Sequence, residues 1–216
     1  MKAAGRRGRG RPGAGDRGRP RYHHGNLRRA LLDAALALVE REGADALTLR
    51  AAARRAGVSQ AAPYRHFRDK EALLAAVAEE GFRAMTETMR RAAAPQAGDP
   101  LGRLRACGLA YVEFATCHPA HFRVMFGRVA ADRLEHPDLM EAAAEAFGLL
   151  VGAIRDCQKA GVVRDGDAEV LALCAWSATH GLSALAVDGQ LAKRAQRLGE
   201  LARAVTGNVF LGLGPR

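Results

Sequence analysis

Leu47 to Leu74, LTLRAAARRAGVSQAAPYRHFRDKEALL, is the stretch on which the fold of this chain turns. Thr48 suits an N-cap, opening a short helix that runs through Arg55, and Asp69 suits the same role for a later one. Between them, Ala56-Gly57-Val58 reads as a three-residue turn, after which Ser59 can cap another short helix. Pro63 then falls at the fourth helical position. It removes one backbone hydrogen bond and pushes Ala62 away from ideal α geometry, so the expected product is a distorted helix held by Phe67, Leu73 and the helix upstream. Ala61 and Ala62 are small enough to let its outer face approach another body closely, and Tyr64, Arg65 and His66 reach out from it. Two short helices around such a turn have the outline of a helix-turn-helix, whose second helix lies in the DNA major groove. Spacing alone equally admits an ordinary helix-to-helix connection with solvated polar residues.

Working outward, Leu27, Leu31, Ala34 or Ala35 and Leu38 recur at spacings of three and four, predicting a first helix over 27–42 that Gly43 ends. The helix capped by Asp69 should run to about Ala93, where Ala94 to Pro100 breaks the pattern. Further helices are expected at about 101–117, 119–127, 137–160, 167–187 and 191–211. No segment alternates β-branched and polar residues. The chain is therefore expected to be all-α, with about nine helices, a small N-terminal helical unit over 22–70 and a larger bundle over 71–216.

Composition fits this division. The 33 Lys and Arg against 23 Asp and Glu leave +10 over 216 residues. Residues 1–21 alone hold Lys2 and seven arginines against Asp16, a net +7, so only about +3 belongs to the remainder. This tail of Gly, Arg, Pro and Ala has too little apolar surface to offset its ordering entropy and is expected to be disordered. Cys107, Cys117, Cys157 and Cys174 match no CxxC pair and no disulfide framework, which fits reduced thiols in a cytoplasmic protein. No apolar segment follows the basic start, so it does not read as a secretory signal. Val170 to Val187 is long and uncharged, but Ser, Thr, His and Gly interrupt it. It reads as a buried or interface helix rather than a membrane span.

Residues 27–82 resemble the DNA-binding domain of the TetR family of bacterial transcriptional regulators. The resemblance rests on Gly43, Thr48, the AGVS turn, Tyr64-x-His66-Phe67 and Asp69-Lys70-Glu71-x-Leu73-Leu74. Pro63 stands where an aliphatic residue is more usual. The resemblance implies that Thr48 and Arg50 touch the DNA backbone, that Ser59, Gln60 and Ala61 face base edges, and that Tyr64, His66 and Lys70 bind phosphates. Physical chemistry is consistent with that division, because hydroxyls and helix N-termini suit phosphate oxygens, while Gln60 can pair with adenine and Arg65 can reach guanine.

In the second half, His118-Pro119-Ala120-His121-Phe122-Arg123-Val124-Met125-Phe126 and Trp176-Ser177-Ala178-Thr179-His180-Gly181-Leu182 resemble the regulatory domain of a TetR subgroup named for its Trp, His and Gly. The resemblance implies a homodimer through the last two helices and a small hydrophobic effector held in the bundle. Tyr111, Phe114, Phe122, Met125, Phe126, Trp176 and His180 are the candidate pocket residues, although aromatics and Met at helical spacing are more often core than pocket wall. Cys117, His118 and His121 offer soft ligands, but Pro119 interrupts them and no fourth ligand follows, so neither metal nor cofactor is expected. No nucleophile, phosphate loop or metalloenzyme motif occurs, so no catalytic residue is assigned and the chain is not expected to be an enzyme.

Arg9-Gly10-Arg11-Pro12 and Arg17-Gly18-Arg19-Pro20 resemble the AT-hook core, whose arginines enter narrow minor grooves. An Arg-, Gly- and Pro-rich composition also produces such repeats by accident, whereas a general electrostatic contribution needs only the charge. The resulting expectation is a cytoplasmic, nucleoid-associated homodimer that binds a near-palindromic operator in double-stranded DNA and is released by an effector. The alternative is a sequence-tolerant architectural protein acting through its tail.

Overall fold

The computed structural model describes residues 24–127 and 135–215; the basic tail and both RGRP segments lie outside them. Among the described residues eight α-helices follow one another: α1 His24–Glu42, α2 Leu49–Arg55, α3 Lys70–Ala93, α4 Pro100–Cys117, α5 Pro119–Met125, α6 Pro137–Lys159, α7 Ala168–Val187 and α8 Leu198–Leu213. Short 3₁₀ segments at Ala44–Ala46, Pro63–Arg65, Ala94–Gln96 and Ala192–Arg197 join or extend them. Among the described residues there is no strand, so the all-α expectation is met.

The helix boundaries follow from the caps. Thr48 Oγ1 accepts the Ala51 amide at 3.0 Å, and Asp69 Oδ1 accepts that of Ala72 at 2.7 Å, each satisfying an amide that the first turn leaves without an intrahelical partner. Asp99 and Asp167 do the same for α4 and α7. At the end of α2 the Val58 amide reaches back to the Ala53 carbonyl and the Gly57 amide to that of Arg54. This is a Schellman ending, and the φ of 70° at Gly57 is one that a side chain would disfavour.

Two expectations are corrected. The helix expected from Ser59 is not α-helical: the amides of Ala62, Arg65 and His66 bond three residues back, and only Phe67 bonds four back. Pro63 has no amide to offer the Ser59 carbonyl, so the α ladder cannot start, and a 3₁₀ turn forms instead. Ala62 nevertheless stays in the α region at φ −61° and ψ −41°; the distortion lies in the hydrogen-bond register and not in that residue. The last expected helix, 191–211, is divided into the 3₁₀ segment and α8; the loss of the α-helix expected from Ser59 is what brings nine expected helices to eight among the described residues.

One hydrophobic core runs from Leu31, Val39 and Leu47 through Phe67 and Leu73 to Phe82, Met85, Tyr111, Phe122 and Met125. The 24-residue α3 is its axis, since α1, α4, α5 and α6 all pack against it. Helix α7 is long and apolar enough to cross a membrane by length and composition. It packs against α4, α6 and α8 and buries one face, Leu171, Ala172, Ala175, Thr179, Leu182 and Ser183, while Val170, Leu173 and Leu185 stay exposed.

Candidate DNA-binding surface and ligand cavity

The N-terminal unit presents its polar residues on α2 and the turn that follows. Thr48 and Arg50 at the start of α2 are exposed, as are Ser59, Gln60 and Ala61. Pro63 is fully buried and anchors the 3₁₀ turn from below, while Tyr64 (54 % exposed), Arg65 and His66 extend outward around it. Burial of Pro63 and Phe67 thus fixes a short, rigid loop of projecting polar side chains. Arg28 stacks over the Phe67 ring at 5.7 Å and ties α1 to that anchor.

Lys70 has a local partner that its place in the sequence does not disclose. Its Nζ donates to the Asp45 carbonyl at 3.1 Å, linking the start of α3 to the 3₁₀ segment before α2. An ammonium has three donors, so two remain for a phosphate. Arg54 and Arg55 at the end of α2 are also exposed and add positive charge near the turn. Arg68, by contrast, is engaged by Asp69 at 2.8 Å and Glu135 at 3.0 Å.

The junction between this unit and the bundle is polar and tight. Arg29 on α1 donates to Glu80 on α3 at 2.8 Å, and Glu80 lies 3.9 Å from Nε2 of His121 on α5. That separation exceeds a hydrogen bond, which leaves the buried Nε2 without a partner. Burial lowers the pKa of His121 against the opposing pull of Glu80. Beside it, α5 approaches so closely that a Cβ on Gly81 would stand 2.6 Å from Met125 Sδ.

A cavity of about 680 Å³ lies between α3, α4, α6, α7 and α8. Of the seven candidate pocket residues, Tyr111, Phe126 and Trp176 line it. Phe114, Phe122 and Met125 are buried in the core outside its lining, and His180 stands behind the wall. The Trp176 indole donates to the Tyr111 hydroxyl at 3.1 Å, and that hydroxyl lies 2.8 Å from His180 Nδ1. Burial lowers the pKa of His180 and raises that of Tyr111. A neutral imidazole therefore accepts at Nδ1, and the hydroxyl donates to it.

Much of the wall is invisible to motif reading. Phe82, Met85 and Met89 on α3, together with Phe147 and Leu150 on α6, line the cavity. Their helical spacing marks them as inward-facing, but nothing in it separates a cavity wall from filled core. Cys107 and Cys157 are buried free thiols, while Cys117 and Cys174 are exposed free ones. Among the described residues no three His, Cys, Asp or Glu side chains gather as metal ligands.

Two family profiles match the chain. One, described as "Bacterial regulatory proteins, tetR family", covers residues 31–77, and the other, "Tetracyclin repressor-like, C-terminal domain", covers 104–208. Among solved structures, a protein of unknown function from Rhodococcus sp. RHA1 is 37 % identical over 91 % of this chain and 100 % of that one, with a TM-score of 0.77. The TetR family transcriptional regulator PfmR from Thermus thermophilus is 22 % identical over 85 % of this chain and 98 % of its own, with a TM-score of 0.67. SmeT, solved in complex with triclosan, is 20 % identical over 87 % and 91 %, with a TM-score of 0.66. The last two show the shared fold alone. No curated protein matches the sequence.

Proposed function

Given that the chain belongs to the TetR family of bacterial regulatory proteins and is accordingly a DNA-binding transcriptional regulator, we propose that it is an effector-released repressor. It would act in the cytoplasm as a homodimer on a near-palindromic operator. The observation that carries this reading is the continuity of α3. Its start, capped by Asp69 and tied through Lys70 to the Asp45 carbonyl before α2, lies in the N-terminal unit directly after the exposed polar turn, and further along the same helix Phe82, Met85 and Met89 form one side of the cavity. A ligand that shifts these side chains acts on the same helix that is anchored in the N-terminal unit. Its effect on DNA binding is limited by its preference between the two states.

Ser59, Gln60, Ala61 and Arg65 are assigned to base edges, and Thr48, Arg50, Tyr64, His66 and Lys70 to the phosphate backbone. The division of the chain into a DNA-binding unit over 22–70 and a regulatory unit over 71–216 is kept, with α3 shared across the boundary. The dimer is assigned to α7 and α8. On α7, Cys174, Ser177, Gly181 and Leu185 form an incompletely buried stripe of small and apolar residues, and on α8 Leu211 is 82 % exposed. Trp176, His180 and Gly181 on α7 support placing the regulatory domain in the Trp-His-Gly subgroup.

SmeT, a relative in fold, is known with triclosan bound, and the cavity here is of a size suited to a small hydrophobic effector. Sedimentation equilibrium of the chain, alone and on a selected duplex, tests the assembly. Two chains per duplex are expected, and a single chain in both conditions would overturn the dimeric reading.

A further inference from the structure

Among the described residues, no lysine, arginine or histidine lines the 680 Å³ cavity. Its polar wall groups are also committed. The hydroxyls of Thr179 and Thr206 donate to the Ala175 and Ala202 carbonyls at 2.9 and 2.8 Å. The Cys107 thiol points at the Met89 carbonyl at 3.9 Å, and the Trp176 N–H and Tyr111 O–H are used in the relay that ends on His180. The wall therefore offers spare lone pairs but no uncommitted side-chain donor and no cation. At the opening, where Met140 and Leu173 are 45 % and 49 % exposed, the charged lining residues are Asp167 and Glu169, both negative and both exposed. Asp167 is occupied as the α7 cap, accepting from the Glu169 and Val170 amides, which leaves Glu169 as the carboxylate with fewer ties.

We infer that the effector site accepts lipophiles without negative charge, most tightly those with a cationic or donor head group placed near Glu169, and rejects lipophilic acids. This rests on the reading of the cavity as the effector site. An acid entering it would lose hydration and find neither a donor nor a counter-charge, the costliest way to bury a polar group. An ammonium or hydroxyl head instead meets acceptors along the wall and carboxylates at the mouth, while its chain covers apolar surface.

Trp176 is the single tryptophan of the chain and lines the cavity, so its emission reports occupancy directly. Decylammonium, decanol and decanoate share a chain and differ in head group. Titrated into the full chain at pH 7.5, decylammonium and decanol are each expected to bind at least about ten-fold tighter than decanoate, with decylammonium the tightest. Glu169→Lys, at an exposed site, should weaken decylammonium and narrow its advantage over decanoate several-fold, and Ala143→Phe, on the lining, should abolish all three responses. Decanoate binding as well as or better than the others would overturn the inference while leaving the effector site standing. An unchanged head-group ratio in Glu169→Lys would overturn the role of the mouth carboxylate. No response of Trp176 to any probe, or responses that survive Ala143→Phe, would overturn the effector reading itself.

Discussion

The hydroxyl of Tyr111 on α4 lies 2.8 Å from Nδ1 of His180 on α7 and also receives the Trp176 indole proton at 3.1 Å. One phenol thus satisfies two partners and fastens α4 to α7 along the cavity wall. Tyr111→Phe keeps the ring but strands both the indole donor and the imidazole acceptor. Because the site is partly buried, the loss should be about 1–2 kcal/mol of unfolding free energy. Urea unfolding checks it; a variant as stable as the parent would mean that water replaces the hydroxyl without cost.

Stability should depend on pH through His121 and His180. Burial lowers both pKa values from the ordinary value of about 6.5, with Glu80, 3.9 Å away, opposing the shift for His121 and Arg29 and His118 adding to it. As pH falls through that value the unfolded chain takes up protons before the folded chain does, so their contribution is complete above it and is lost progressively below it. The urea midpoint is therefore expected to drop between pH 7.5 and 5.5. In His121→Gln, which retains a polar side chain without the titration, the drop should be smaller; an equal drop would place the effect elsewhere.

Gly81 is where α3 lets α5 in. An added Cβ would meet Met125 Sδ at 2.6 Å and Cγ at 2.9 Å. Alanine there gains about 1 kcal/mol of helix propensity, which offsets much of a clash with a bendable thioether. Valine cannot swing clear, so Gly81→Val should cost about 2 kcal/mol. Met125→Ala combined with it should cost less than the two single changes added together, and strict additivity would show that the two residues do not compete for this space.

At the DNA surface two substitutions should behave differently. Gln60→Ala is expected to change base preference at one operator position, by about 1–3 kcal/mol of discrimination. Lys70→Ala should weaken binding to every duplex and reduce the salt slope by about one. Because Lys70 also holds the Asp45 carbonyl, its thermal midpoint should fall slightly as well. Binding isotherms over a salt series separate the two patterns.

The features legible in the sequence were those governed by local chemistry. Thr48 and Asp69 cap helices because a hydroxyl or carboxylate at that point satisfies an amide a few residues on, and Gly57 turns the chain because it lacks a Cβ. Pro63 signals distortion through its missing amide, but that its ring and Phe67 are buried beneath the turn is a tertiary fact. The cavity was the least legible part. Tyr111 lines it and Phe114, three residues further along the same helix, does not, because what decides is whether neighbouring helices fill the space. In the same way, nothing local to Lys70 discloses the Asp45 carbonyl beside it.

Selection from random duplexes, run in parallel on the full-length protein and on a truncation beginning at Tyr22, tests the central claim most directly. A specific regulator that reads DNA through Ser59 to His66 should recover the same near-palindromic motif in both, with the tail adding only affinity. Enrichment of A·T runs by the full-length protein, with nothing recovered by the truncation, would contradict this account and place DNA binding in residues 1–21.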